Sequence, residues 1–146
     1  MDKKTGLLLL VARIGLGVIF LASGLGKVAG WDGTVAYAGS KGVPAFLLAC
    51  ATALEIFGGV SVLAGWKARW GATALIVFLV PVTVVFHGFW AYQGAEIQEQ
   101  MIQFLKNIAI GGGLFALIAA GPGAFSLDAR LAAHRQNAGA AIPVRA

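Results

Sequence analysis

Four apolar runs decide what this chain can fold into. They cover residues 5–26, 44–66, 70–92 and 101–121, and each matches the ~20 residues that a helix needs to cross the hydrocarbon layer of a bilayer. Lipid offers the backbone no hydrogen-bond partner, so a spanning segment of this length is forced to be helical. The predicted fold is therefore all-α, an integral membrane bundle of four transmembrane helices. The totals agree: 59% of residues are hydrophobic and 12% charged, against ~25% charged in a water-soluble domain.

The links sharpen the topology. Between the first two runs, 28–43 is glycine-rich and holds Trp31 and Tyr37, residues suited to the membrane interface, so a short surface helix or re-entrant turn is expected there. The second link, around Lys67 and Arg69, is so short that the second and third spans must form an antiparallel hairpin. Gly121, Pro122 and Gly123 end the fourth span. Ser126 is placed to cap a short amphipathic helix reaching about Arg135, and 136–146 reads as a disordered tail. One membrane domain over 1–128 is thus followed by a basic tail over 129–146. Lys3, Lys4, Lys67, Arg69, Arg130, Arg135 and Arg145 fall on one side of the membrane, and only Lys27 and Lys41 on the other. That imbalance predicts that both termini are cytoplasmic.

The net charge of +5 could serve nucleic acid, but the basic residues sit at segment ends, where membrane topology uses them, and no nucleic-acid role is read from them. Cys50 is the single cysteine, which excludes an internal disulfide or a CxxC redox pair. No cluster of metal ligands appears, and no phosphate or dinucleotide loop, so neither a metal site nor a covalent cofactor is expected.

Ionisable residues inside spans are costly, at about 2.5–3.5 kcal/mol each near a helix centre on insertion scales, and so they mark structure or function. Arg13, Glu55, His87 and Lys106 lie within spans, with Thr83 and Asn107 beside them. Arg13 starts a one-face stripe with Gly17, Phe20, Gly24 and Lys27. Rise per residue puts Arg13 and Glu55 at similar depths, which predicts an Arg13–Glu55 ion pair acting as a register clamp or as part of a site. His87 and Lys106 fall nearer the outer surface. Pro81 is expected to kink the third span.

The ordered set Arg13, Gly17, Phe20, Ser23-Gly24 and Lys27, then Gly42-x-Pro44, Glu55 with Gly58-Gly59, Gly65 and Arg69, resembles the DoxX family. Thr83 with His87, Lys106-Asn107 with Gly111-Gly112, and Gly121-Pro122-Gly123 with Ser126 and Asp128 continue the resemblance across most of the chain. It implies a small bacterial inner-membrane protein linked to quinone-dependent electron transfer or to oxidative-stress complexes with soluble redox enzymes. On that reading Glu55, His87 and Lys106 are the candidate catalytic residues. Arg13, Thr83, His87, Lys106 and Asn107 would bind the ligand, a quinone. A quinone head needs hydrogen-bond donors near the interface, which His87, Lys106 and Asn107 offer, while Glu55 is suited to carry protons. The expected partners are the lipid bilayer, a soluble redox enzyme and further copies of the chain. Two other roles fit the same residues: a non-catalytic scaffold anchoring a soluble partner through its basic tail, and a small carrier gated by Glu55 and Arg13.

Overall fold

A computed structural model describes residues 2–140. Four long helices span: α1 (Lys3–Ala29), α3 (Ala45–Ala64), α4 (Ala68–His87) and α5 (Ala95–Ala120). A short helix α2 (Trp31–Ser40) joins the first two, a 3-10 turn (Phe89–Ala91) precedes α5, and α6 (Leu127–Ala140) closes the described chain. Only 17–33% of each span's most apolar window is buried inside the protein. Large apolar side chains such as Phe57 and Trp70, 75% and 77% exposed, therefore face outward. An outward apolar surface on this scale is stable only when the surrounding medium is itself apolar, and the chain is a multi-pass membrane protein in contact with lipid.

Element ends differ from the expected ones for local reasons. The third span stops at His87, because Gly88 leaves helical geometry and the chain turns through Phe89–Ala91. The fourth begins at Ala95, ahead of the apolar run. Glu96, Glu99 and Gln100 extend it as a polar first turn and a half, which helix propensity permits outside the hydrocarbon. At the other end α6 runs through Ala140, past Arg135, with Ser126 Oγ accepting from the Ala129 N–H at 3.1 Å. The rest of the expected tail, 141–146, lies outside the described residues.

Successive spans pack as antiparallel neighbours: α1 on α3, α3 on α4 and α4 on α5, while α1 meets α5 over a much shorter stretch. The α1–α3 contact is close because two glycines face α3. A Cβ on Gly24 would come within 2.6 Å of Ile56 Cγ1, and one on Gly17 within 2.8 Å of Leu63 Cδ1. Small residues permit this backbone approach, which is how lipid-embedded helices gain packing energy. The core between the helices is Phe20, Val62, Leu75, Phe78, Leu79 and Leu114, with Phe20 and Phe78 edge to face at 6.3 Å.

The end of the bundle that carries the N-terminus is tied by the segment after α5. α3 ends on Gly65 at φ +67°. The Gly65 N–H reaches Val62 O and the Trp66 N–H reaches Ser61 O, a Schellman termination that favours glycine at the left-handed position. Asp128 then accepts from the N–H groups of Lys67 and Ala68 at 2.8 and 3.2 Å. A carboxylate from beyond the fourth span thereby caps the positive end of α4. The Asp128 N–H returns to Gly65 O at 2.9 Å.

Candidate functional site

Arg13 and Glu55 do not pair. Gly24 sits level with Glu55, its Cβ position 3.4 Å from Glu55 Cβ, and Arg13 lies ~16 Å farther along α1. α1 overhangs the recessed end of α3, so Arg13 is level with the α3–α4 turn instead of mid-span. There it is 1% exposed and donates Nη2 to Phe125 O at 2.5 Å. Its guanidinium fills the space that a Cβ on Gly65 would need, beside the negative end of α3. Arg13 belongs to the tie at the terminal end and not to a binding site with the other candidates.

Glu55 instead pairs with Lys27, which reaches from α1 to place Nζ 2.6 Å from Oε2. Lys27 also donates to Ser23 Oγ at 2.7 Å. The Glu55 side chain is 4% exposed and that of Lys27 25%. Lys27 was legible as the last member of the Arg13 stripe, three residues beyond Gly24. Its contact with Glu55 follows from the overhang of α1 past α3, which counting residues along each helix does not carry.

This pair lies on the wall of a chamber of about 610 Å³ between the four spans, roofed by α2. Glu55, His87, Lys106 and Asn107 all line this chamber, together with Ser23, Lys27 and Gln103. His87 Nδ1 is 2.8 Å from Gln100 Oε1, which makes that nitrogen the donor, since the amide oxygen only accepts. Lys106 donates to Gln103 Oε1 on the preceding turn. Thr83 stands behind the wall: its hydroxyl donates to Leu79 O at 2.7 Å and accepts from Asn107 Nδ2 at 3.0 Å. With the hydroxyl proton committed, Asn107 must present its NH₂ to Thr83 and its Oδ1 elsewhere. Asn107 is 8% exposed, and no donor among the described residues reaches Oδ1. Oδ1 is not sealed off, unlike Arg13 Nε and Nη1, which are buried with no partner among the described residues, and Asn107 lines the chamber. Apolar side chains such as Leu48, Phe78 and Ile110 form most of the remaining wall.

α2 is fastened over the chamber at one edge. Lys41 Nζ donates to Tyr92 Oη at 2.8 Å and lies 4.6 Å from the ring centroid, and Tyr37 packs on Phe86 at 5.7 Å. The hydrogen bond to Tyr92 raises Lys41 above the usual lysine range. Partial burial, followed by the neighbouring Tyr92, raises the Tyr37 phenol above its ordinary value. Among the described residues no three His, Cys, Asp or Glu side chains come together as a metal site.

The DoxX family model matches residues 8–88, a stretch that contains Arg13, Lys27, Glu55 and His87. This chain belongs to the DoxX family. Its similarity to full-length members extends well beyond that stretch. The inner membrane protein YphA of Escherichia coli (strain K12) is 38% identical over 125 residues, 84% of this chain and 89% of that protein. The inner membrane protein YqjF of the same strain is 36% identical over 128 residues, 88% of this chain and 95% of its own length. CatD of Bacillus subtilis (strain 168), whose name assigns it provisionally to the oxidoreductases, is 34% identical over 116 residues, 79% of this DoxX chain and 87% of CatD. No solved structure matches this DoxX chain.

Proposed function

We propose that this DoxX protein is the quinone-binding membrane subunit of a redox complex in the bacterial inner membrane, working with a soluble redox-enzyme partner. The observation that carries the reading is Asn107, a residue nine-tenths buried whose Oδ1 meets no donor among the described residues, on the wall of a largely apolar chamber that also holds Lys27, Glu55, His87 and Lys106. A quinone, when bound, supplies reversible transfer of two electrons and two protons. The chain's own groups fit such a ligand in both states. Lys106 donates hydrogen bonds to carbonyl oxygens, while Asn107 Oδ1 and His87 Nε2, left as an acceptor by the Nδ1–Gln100 bond, accept from hydroxyls. Glu55, held by Lys27, presents a carboxylate to the same space and is the group suited to take up and release protons. The Thr83–Asn107 bond holds the amide NH₂ and leaves Oδ1 free on a residue that lines the chamber, and the apolar wall excludes water from the ring. The provisional oxidoreductase name of CatD and the inner-membrane names of YphA and YqjF support the same reading.

The test is quinone content. Protein purified in mild detergent is extracted into organic solvent and its quinone is quantified. The wild type is expected to carry quinone near one per chain, and Asn107→Leu to carry about tenfold less, the factor lost with a good polar contact. Wild-type protein with no more quinone than an unrelated membrane protein in the same detergent would refute the proposal.

A further inference from the structure

A second cavity of about 570 Å³ runs along the outside of the α1–α5 seam, and Ile19, Lys106 and Ile110 line both spaces. The two cavities therefore adjoin at these three side chains, which form the neck between them. Beyond it the character changes completely. Ala12 and Gly15 of α1 face Ala109, Gly113, Ala116 and Ala120 of α5, and among the described residues the only polar side chain on this groove is Lys106 itself. From Lys106 to Ala120 the groove follows α5 for ~21 Å, toward the end of the bundle that carries the termini. It exists because α1 and α5 touch over a shorter stretch than the other neighbours and carry small residues where they diverge.

A polar chamber joined to a long apolar groove describes the two parts of one amphipathic molecule. We propose that the two cavities form a single site for a long-tailed quinone, its ring beside Asn107 and its isoprenoid tail laid along the α1–α5 groove, passing Lys106 at the neck. This rests on the quinone reading above. Lipid chains are as apolar as the groove, so the tail gains little by transfer alone. The groove acts through shape: it admits a slender chain, and a protruding side chain there blocks it. The adjacency of the two spaces, which share Ile19, Lys106 and Ile110, favours the tail as occupant over a helix from a second copy, which would cover the groove without reaching the neck.

Gly15 provides the test. A Cβ at this position meets nothing within 4 Å, so Gly15→Leu fills the groove without disturbing the packing of the bundle. Ala116→Leu, on the exposed face of α5, narrows the opposite wall. Gly112→Leu is the matched control, since its Cβ also meets nothing within 4 Å and Gly112 lines neither cavity. Each protein, immobilised in detergent, is equilibrated with a long-tailed ubiquinone or with its tail-less ring, and retained ligand is quantified by mass spectrometry. Both groove variants should bind the long-tailed form about tenfold more weakly, the scale set by steric exclusion from a fitted apolar pocket, and bind the ring as the wild type does. Groove variants that retain the long-tailed form as Gly112→Leu does would overturn the tail assignment and leave the chamber reading standing. Equal loss of ring and long-tailed form would also overturn it. A wild type that dimerises, with Gly15→Leu monomeric and still binding the long-tailed form, would assign the groove to a second copy. Wild-type protein that retains neither ligand would remove the functional reading and this inference together.

Discussion

Among the described residues Lys27 alone forms an ion pair with the buried Glu55, and that gives a sharp energetic expectation. With Nζ and Oε2 2.6 Å apart, the attraction between unit charges is ~6 kcal/mol at an effective dielectric constant of about 20. Most of this is offset by the desolvation of both ions. Deleting one partner is different, because the other charge stays in the interior. Lys27→Met should therefore destabilise the protein by about 3–5 kcal/mol. Glu55→Gln in the Lys27→Met background should recover much of that loss, since no charge is then stranded. The coupling energy from the four-protein cycle should be about 2 kcal/mol, clearly above the ~0.6 kcal/mol average for polar contacts in a membrane protein. Unfolding free energies from SDS titration in mixed micelles supply the cycle. A parallel cycle with Arg13→Met and Glu55→Gln should be additive to within about 0.5 kcal/mol, as befits sites that share no partner. The reasoning fails if Lys27 and Glu55 couple by less than ~0.5 kcal/mol, or if Arg13 and Glu55 couple more strongly than they do.

Other perturbations read separate parts of the structure. Gly24→Val drives a methyl into Ile56 and should cost about 1–3 kcal/mol, whereas at Gly26 a Cβ meets nothing within 4 Å and the same substitution should change stability by no more than about 0.5 kcal/mol; thermal unfolding in detergent separates them. Asp128→Ala removes the cap on two N–H groups of α4 and should cost about 1–2 kcal/mol, part of which Asp128→Asn restores. In Tyr92→Phe protein Tyr37 is the one remaining tyrosine, and burial, the larger cause of its shift, remains. Its ultraviolet titration should have a midpoint above the usual ~10. Because folding favours the neutral phenol, this group's contribution to stability is intact below ~10 and is lost as pH rises from there through the folded-state value; a midpoint at or below the ordinary one would contradict the packing of α2 on Phe86.

The spans were legible because lipid imposes length and apolarity on every residue of a crossing segment, and that signal is continuous along the chain. The gathering of Glu55, His87, Lys106 and Asn107 was legible for a related reason: polar groups in an apolar run have few places to go. The pairing within that set was not. It depends on how far α1 overhangs α3, and hydropathy carries no record of overhang. The glycines do carry one. Gly17 against Gly59, and Gly24 against Glu55 and Ile56, fix which turns of α1 and α3 touch, and with that register in hand Lys27, not Arg13, is the cation within reach of Glu55. The α1–α5 groove was illegible for a further reason. Gly15 and Ala116 look like packing residues, and only the divergence of the two helices leaves them facing open space.

The tie at the terminal end has a consequence for assembly. Arg13 is made early and its partner, the Phe125 carbonyl, 112 residues later. The turn at Gly65 and the first N–H groups of α4 likewise wait for Asp128. During synthesis the first three spans can insert and associate, but the guanidinium, one helix terminus and the hairpin turn all stay open until the last crossing is complete. Closure by a contact of such long sequence separation is intrinsically late. A chain cut short before the segment after α5 would therefore keep the Arg13 guanidinium without the Phe125 carbonyl and the first amides of α4 without the Asp128 carboxylate.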